Sequence, residues 1–129
     1  MVEKEIQLKF DFIPPSINEV YSWYYKRHKS TSYREFLSKL DVFFLQHNKK
    51  YKITEDQWLE VDYTFYFPLY FKNGKIRKKD LGNFEKVLTD GLSHFIQGFK
   101  DENIKNIYLH KNNCVAGEEC TIVKIKECI

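Results

Sequence analysis

Apolar and polar residues alternate along two long stretches of the chain, which is the pattern of strands with one buried face. Residues 5–12 alternate in this way until Pro14-Pro15 interrupts them. Residues 58–71 place Leu, Val, Tyr and Phe at every second position, and Asn73-Gly74 then signals a turn. Two further strands are predicted near 104–111 and 120–127.

Two other stretches have the three- and four-residue spacing of amphipathic helices. The first begins at Thr31 or Ser32, with Glu35 three residues after Ser32 as in a capping box. Its apolar positions are Phe36, Leu37, Leu40, Phe43 and Phe44. The second follows residue 80 and ends near Gly98, with apolar positions Phe84, Val87, Leu88, Leu92 and Phe95.

These elements predict a single α+β domain over residues 1–129, in the order β-α-β-α-β-β. The expected architecture is a mixed four-stranded sheet with helices packed on it. A chain of 129 residues suits one domain with a real core. The charged start of the chain and the lack of a long apolar run predict no signal peptide and no membrane span. The three cysteines have no zinc-type spacing, so we expect reduced thiols in a cytoplasmic protein.

Polar residues form a second stripe on the later helix. Asn83, Lys86, Asp90 and His94 recur at intervals of three and four. If the chain folds back after this helix, Asp80, Asn83, Lys86 and Asp101 can face one point. Oxygen ligands of this kind suit Mg²⁺, and a lysine stabilises the charge of a phosphoryl transition state. The pattern also allows a plain N-cap at Asp80, an exposed Lys86–Asp90 pair and an ordinary acidic turn at 101–103.

Charge distribution supports a nucleic-acid partner more than net charge does. The chain has 21 basic and 18 acidic side chains, a formal net charge of only +3. One basic run precedes the acidic cluster and consists of Lys72, Lys75, Arg77, Lys78 and Lys79. A second, at Lys26-Arg27, follows several aromatic residues, which suits phosphate contact with base stacking or, equally, a solvated loop.

At these residues the chain resembles the RusA family of Holliday-junction resolvases. The family signature is a basic run, Asp-Leu-Asp-Asn, a lysine three residues later, an aspartate four further on, and an acidic turn. Here it appears as Asp80-Leu81-Gly82-Asn83, Lys86, Asp90 and Lys100-Asp101. The N-terminal Pro14-Pro15-Ser16-Ile17-Asn18 is similar to the family's Pro-Pro-Ser-x-Asn element.

The resemblance implies a homodimeric endonuclease, of phage or prophage type, that resolves four-way DNA junctions with Mg²⁺ or Mn²⁺. It implies Asp80 and Asp101 as metal ligands, Lys86 as a catalytic residue, and Asn83, Asp90 and Glu102 as supporting residues. Lys26, Arg27 and the basic run before Asp80 would bind DNA.

One position departs from the family, because Gly82 stands where the second aspartate is expected. Loss of one carboxylate lowers the negative charge available to a cation. Glu102 is the expected substitute, since Glu85 lies about 150° round the helix from the edge that carries Asn83. Two alternatives remain open: a silent relative that binds branched DNA without cutting it, and a protein of the same fold that binds no nucleic acid.

Overall fold

A computed structural model describes residues 4–17, 31–47 and 49–128. Lys26 and Arg27 of the second basic run, and Asn18 of the N-terminal element, lie outside these residues. The described elements are β1 (Glu5–Phe10), α1 (Thr31–His47), β2 (Tyr51–Lys52), β3 (Leu59–Tyr66), α2 (Leu81–Ser93), β4 (Ile96–Gln97), a 3₁₀ turn (Asp101–Asn103), β5 (Ile104–Asn112) and β6 (Cys120–Glu127).

The main sheet has the strand order β1-β6-β3-β5. β6 pairs antiparallel with both β1 and β3, whereas β3 and β5 are parallel. Parallel neighbours need a crossover connection, and α2 lies within it. The predicted α+β class with a mixed four-stranded sheet and packed helices is therefore confirmed.

The structure also adds a short parallel sheet, β2 with β4, that sequence patterning did not predict. Each of its strands has only two residues, which is too short for an alternation pattern to be visible. Gly98 follows β4 with φ +88°, and a Cβ atom there would overlap the carbonyl oxygen of Ile53. Glycine is thus required where these two segments meet.

The core lies between the helices and one face of the sheet. β3 alternates as expected, since Leu59, Val61, Tyr63 and Phe65 are buried and the residues between them are half-buried. The strand itself ends at Tyr66, earlier than the predicted boundary at 71. The two helices contribute the other expected side chains, among them Phe36, Leu40, Phe84, Val87, Leu88 and Leu92. None of the described helices has the length and apolar character needed to cross a membrane.

Candidate functional site

Asp80 caps the N-terminus of α2. Its backbone is extended (φ −80°, ψ 114°), and its Oδ1 accepts a hydrogen bond from the Gly82 N–H at 2.9 Å. The N-cap interpretation of Asp80 is therefore correct for this residue. The side chain is nevertheless exposed, and an ionised carboxylate has about four lone-pair sites, so one cap bond leaves it able to bind a cation.

Four cationic side chains line the same groove as Asp80. A groove of about 470 Å³ is lined by Arg77, Lys78, Lys79 and Lys111 together with Asp80. Lys111 belongs to β5, and its Nζ donates to the Lys79 carbonyl at 3.5 Å. The basic run predicted from sequence thus reaches the start of α2, and the parallel pairing of β5 adds a cation from a distant part of the chain. Such a concentration of positive charge attracts phosphate groups.

A hydrogen-bonded chain of three side chains connects the core to the side of α2. The Thr89 hydroxyl donates to Glu85 Oε1 at 2.8 Å, and Tyr63 lies 2.9 Å from the same hydroxyl. Because the Thr89 proton goes to Glu85, the Tyr63 hydroxyl is the donor of the second bond. Burial raises the pKa of Tyr63, and the charges of Glu85 and Asp101 raise it further, so this phenol stays protonated.

Glu85 is half-buried and lies within electrostatic reach of Asp101. Burial raises the pKa of the Glu85 carboxyl, and the Asp101 charge adds to the rise; the Thr89 hydrogen bond and Lys86 oppose it. Sequence reasoning preferred Glu102 as the substitute carboxylate, and Glu102 is adjacent to Asp101 in the 3₁₀ turn. Glu85 is a second carboxylate near enough for the charge of Asp101 to act on it. The signal that would have found Glu85 is its four-residue spacing from Thr89, opposite a tyrosine on a buried strand.

The other predicted site residues have different surroundings. Lys86 is exposed and its charge acts on Glu85. Asn83 is half-buried in the first turn of α2. Asp90 accepts a hydrogen bond of 2.5 Å from the Tyr33 hydroxyl, which ties α2 to α1. Glu102 is exposed beside Asp101 in the 3₁₀ turn, where both line a separate groove of about 660 Å³.

The carboxylates do not form a closed metal site. Over residues 4–17, 31–47 and 49–128, no three His, Cys, Asp or Glu side chains are grouped so that they could hold a metal ion. Asp80 lies in the basic groove, whereas Asp101 acts on Glu85. Gly82 lacks a positive φ, and a Cβ atom there would lie 3.2 Å from Asp80 Oδ1. A carboxylate at residue 82 would therefore lie beside Asp80.

Residues of the N-terminal segment and of the start of α2 line a common cleft. Pro14 and Pro15 line a cleft of about 250 Å³ with Lys39, Lys79 and Phe84. Lys79 Nζ lies 5.7 Å from the centre of the Phe84 ring, so it belongs to this cleft as well as to the basic groove. The N-terminal element is thus packed against the start of the motif helix.

Comparisons of the chain with protein families and with curated proteins found no match. The assignment of the site therefore depends on its own residues and on their arrangement.

Proposed function

We propose that this protein is a Mg²⁺-dependent endonuclease that cuts branched DNA, as the resemblance to RusA-type resolvases implies. The observation that carries the proposal is the groove that Arg77, Lys78, Lys79 and Lys111 line together with Asp80. Consecutive cationic side chains are complementary to the phosphates of a DNA strand. In the sequence they lead to Asp80, which caps the helix that also carries Glu85 and Lys86. Cations that neutralise phosphates account for much of the affinity of DNA-binding proteins.

In such a reaction, the groove and the residues of α2 would have different roles. The lysines of the groove hold the strand, and Lys86 stabilises the negative charge that develops on the phosphorus oxygens. Asn83 orients a ligand or the attacking water through its amide. Glu85 supplies the negative charge that Gly82 lacks, because it lies on the same helix and is coupled to Asp101.

Asp80, Asp101 and Glu85 are the groups that would hold the cation. Carboxylate oxygens are ligands that Mg²⁺ and Mn²⁺ accept, and a Mg²⁺ ion that keeps most of its waters needs only one or two of them. When bound, such an ion supplies an activated water or stabilises the leaving oxygen. Asp101 and Glu85 repel each other without a cation, and a cation between them relieves that repulsion.

We expect the protein to act as a homodimer, because the proposed substrate, a four-way junction, is two-fold symmetric. A four-way junction has two equivalent phosphates, and two copies of one site related by a two-fold axis can reach both. The described cysteines, Cys114, Cys120 and Cys128, are free thiols. Free thiols suit a reducing compartment, so we place the activity in the cytoplasm of a cell or of a phage-infected host.

The decisive experiment compares a labelled synthetic four-way junction with a linear duplex of equal length. Cleavage is followed in Mg²⁺, in Mn²⁺ and in EDTA, and binding is measured in parallel. We expect paired nicks at symmetric positions in the junction, dependent on the metal, and an intact duplex. Failure to bind either DNA at low salt would refute the proposal.

A second function is favoured by Gly82 and by the absence of a three-carboxylate group from the described residues. In it the protein holds branched DNA without cutting it. Tight binding of the junction, with no nicks in either metal, would select this function over the first. Salt dependence of that binding would still be expected, because the cationic groove serves both functions.

A further inference from the structure

Residues 69–77, between β3 and α2, form a closed hairpin. The Phe71 N–H donates to the Lys75 carbonyl at 2.8 Å, and the Arg77 N–H donates to Leu69 at 2.6 Å. Tyr70 and Ile76 face each other as an antiparallel bridge. At the tip, Gly74 adopts φ +84°, which glycine accepts without strain. These backbone bonds fix the shape of the 69–77 hairpin.

The hairpin displays apolar side chains to solvent. Tyr70 is 54% exposed, Phe71 49% and Ile76 59%. Successive residues of an extended strand point to opposite faces, so Tyr70 and Ile76 lie on one face of the hairpin and Phe71 on the other. Each face therefore exposes an aromatic ring, and exposed apolar groups of this kind mark binding surfaces. They are not needed for the core, which is complete between the helices and the sheet.

Cations alternate with these apolar groups. Lys72 and Lys75 are exposed near the tip, and the Arg77 guanidinium lies 4.6 Å from the centre of the Phe71 ring. Arg77 Nε is buried and has no hydrogen-bond partner among the described residues. The stacked guanidinium therefore stiffens Phe71 and adds positive charge at its face.

We propose that the 69–77 hairpin is a stacking platform for a nucleobase whose face is exposed, as at the centre of an open branch point or in a single strand, with the neighbouring phosphates held by its lysines. This inference rests on the proposed function and names the part of branched DNA that the site recognises. Every base has a π face that stacks on an aromatic ring, and its flanking phosphates are anionic. An exposed aromatic ring with lysines and an arginine beside it is complementary to both features. Base pairs in a continuous duplex offer no free face, whereas a branch point does.

The position of the hairpin links base stacking to the carboxylates. Tyr70 and Ile76 line the same groove as Lys78 and Asp80. A base held on the hairpin therefore directs the adjoining strand along the cations toward the start of α2. The hairpin would in this way select branched over linear DNA and also set which phosphate reaches the carboxylates.

The test uses fluorescence anisotropy with three labelled DNAs in EDTA: a four-way junction, a single strand and a blunt duplex. The variants are Phe71→Ala and Tyr70→Ala, with Phe71→Tyr as a substitution that keeps a ring. Trp58→Ala is the matched control, because Trp58 is 57% exposed but precedes β3 at the other end of that strand. Both aromatic positions of the hairpin are exposed, so their loss leaves the core intact.

We expect Phe71→Ala to weaken binding of the junction and the single strand about 5- to 100-fold, the range for loss of one stacked base. Duplex binding should change little, and Phe71→Tyr and Trp58→Ala should resemble the wild type. Equal junction binding by the wild type and both alanine variants would overturn the stacking platform while leaving the proposed function in place. A wild type that binds none of the three DNAs would refute both.

Discussion

Asp80 and Glu85 are carboxylates of the same helical segment, about 7.5 Å apart along the helix axis, yet their surroundings are opposite. Asp80 is exposed, caps the helix and lies among four cations. Glu85 is half-buried, accepts a hydrogen bond from Thr89 and lies near the negative charge of Asp101. The first environment attracts a phosphate, and the second becomes more stable when a cation arrives.

Under the proposed function, this contrast bears on how a chain with Gly82 could hold a cation. In the resemblance, the second aspartate of the motif would stand next to Asp80 and concentrate negative charge at the helix start. Here the helix start is dominated by cations, and negative charge is concentrated further along, at Glu85 and Asp101. In the proposed function, the phosphate contacts would therefore be concentrated at the helix start, while Asp101 and Glu85 would bring further negative charge to a cation shared with Asp80.

The largest effect is expected from Asp101→Asn. This change removes the charge that acts on Glu85 but preserves the shape of an exposed side chain in the 3₁₀ turn. Junction cleavage should fall by roughly 100-fold or more, while junction binding stays within a few-fold of wild type. Single-turnover cleavage and anisotropy, run on the same junction, measure the two quantities. Cleavage at the wild-type rate would mean that Asp101 is not part of the site.

The next largest effect is expected on the free energy of unfolding, from loss of the Thr89 hydroxyl that donates to Glu85. Thr89→Val keeps the shape of the side chain but leaves the buried Tyr63 hydroxyl without its acceptor. An unsatisfied buried donor costs about 1–3 kcal/mol, so the free energy of unfolding in urea should fall by that amount. Tyr63→Phe combined with Thr89→Val removes the orphaned donor, and this double variant should be more stable than Thr89→Val alone. Simple additivity of the two changes would argue against the hydrogen-bonded chain.

Local sequence signals predicted the elements of the fold better than they predicted the site. The period-two pattern of β3 and the helical spacing in α2 are local, and both elements begin where they were expected. β3 ends at Tyr66 where the pattern predicted 71, and α2 ends at Ser93 where the pattern predicted an end near Gly98. Lys111 and the Tyr63–Thr89–Glu85 chain depend on which strands are neighbours, and alternation does not contain that information. The parallel pairing of β3 with β5 brings Lys111 to Lys79. The effect of the Asp101 charge on Glu85 was not predicted, because only one edge of the helix was compared.

Gly82→Asp tests whether negative charge can be restored beside Asp80, at the cationic start of α2. The new Cβ atom would lie 3.2 Å from Asp80 Oδ1, so the exposed Asp80 side chain must move by a few tenths of an ångström. The added carboxylate should raise metal-dependent cleavage by about 10-fold, the lower end of effects seen when the surroundings of a metal are altered. Gly82→Ala is the control, since it makes the same contact without the charge and should not raise cleavage. An equal gain in both variants would assign the effect to helix stability and not to metal binding.

The smallest effect is a change in the pH dependence of stability. Because burial and Asp101 raise the pKa of Glu85 above its ordinary value of 4.5, ionisation of this carboxyl disfavours the folded state. The stability that protonated Glu85 contributes is complete below pH 4.5 and is lost as the pH rises through its folded pKa. Glu85→Gln cannot ionise, and its amide oxygen can still accept the Thr89 hydrogen bond.

Urea unfolding of both proteins in EDTA, from acidic to neutral pH, measures the difference. The stability of Glu85→Gln relative to wild type should rise across this interval and become constant above the folded pKa of Glu85. Lys86 opposes the shift, so Lys86→Ala in the wild-type background should enlarge the loss with pH. A difference between wild type and Glu85→Gln that does not vary with pH would show that Glu85 is solvated like Asp80, and the contrast between the two carboxylates would disappear.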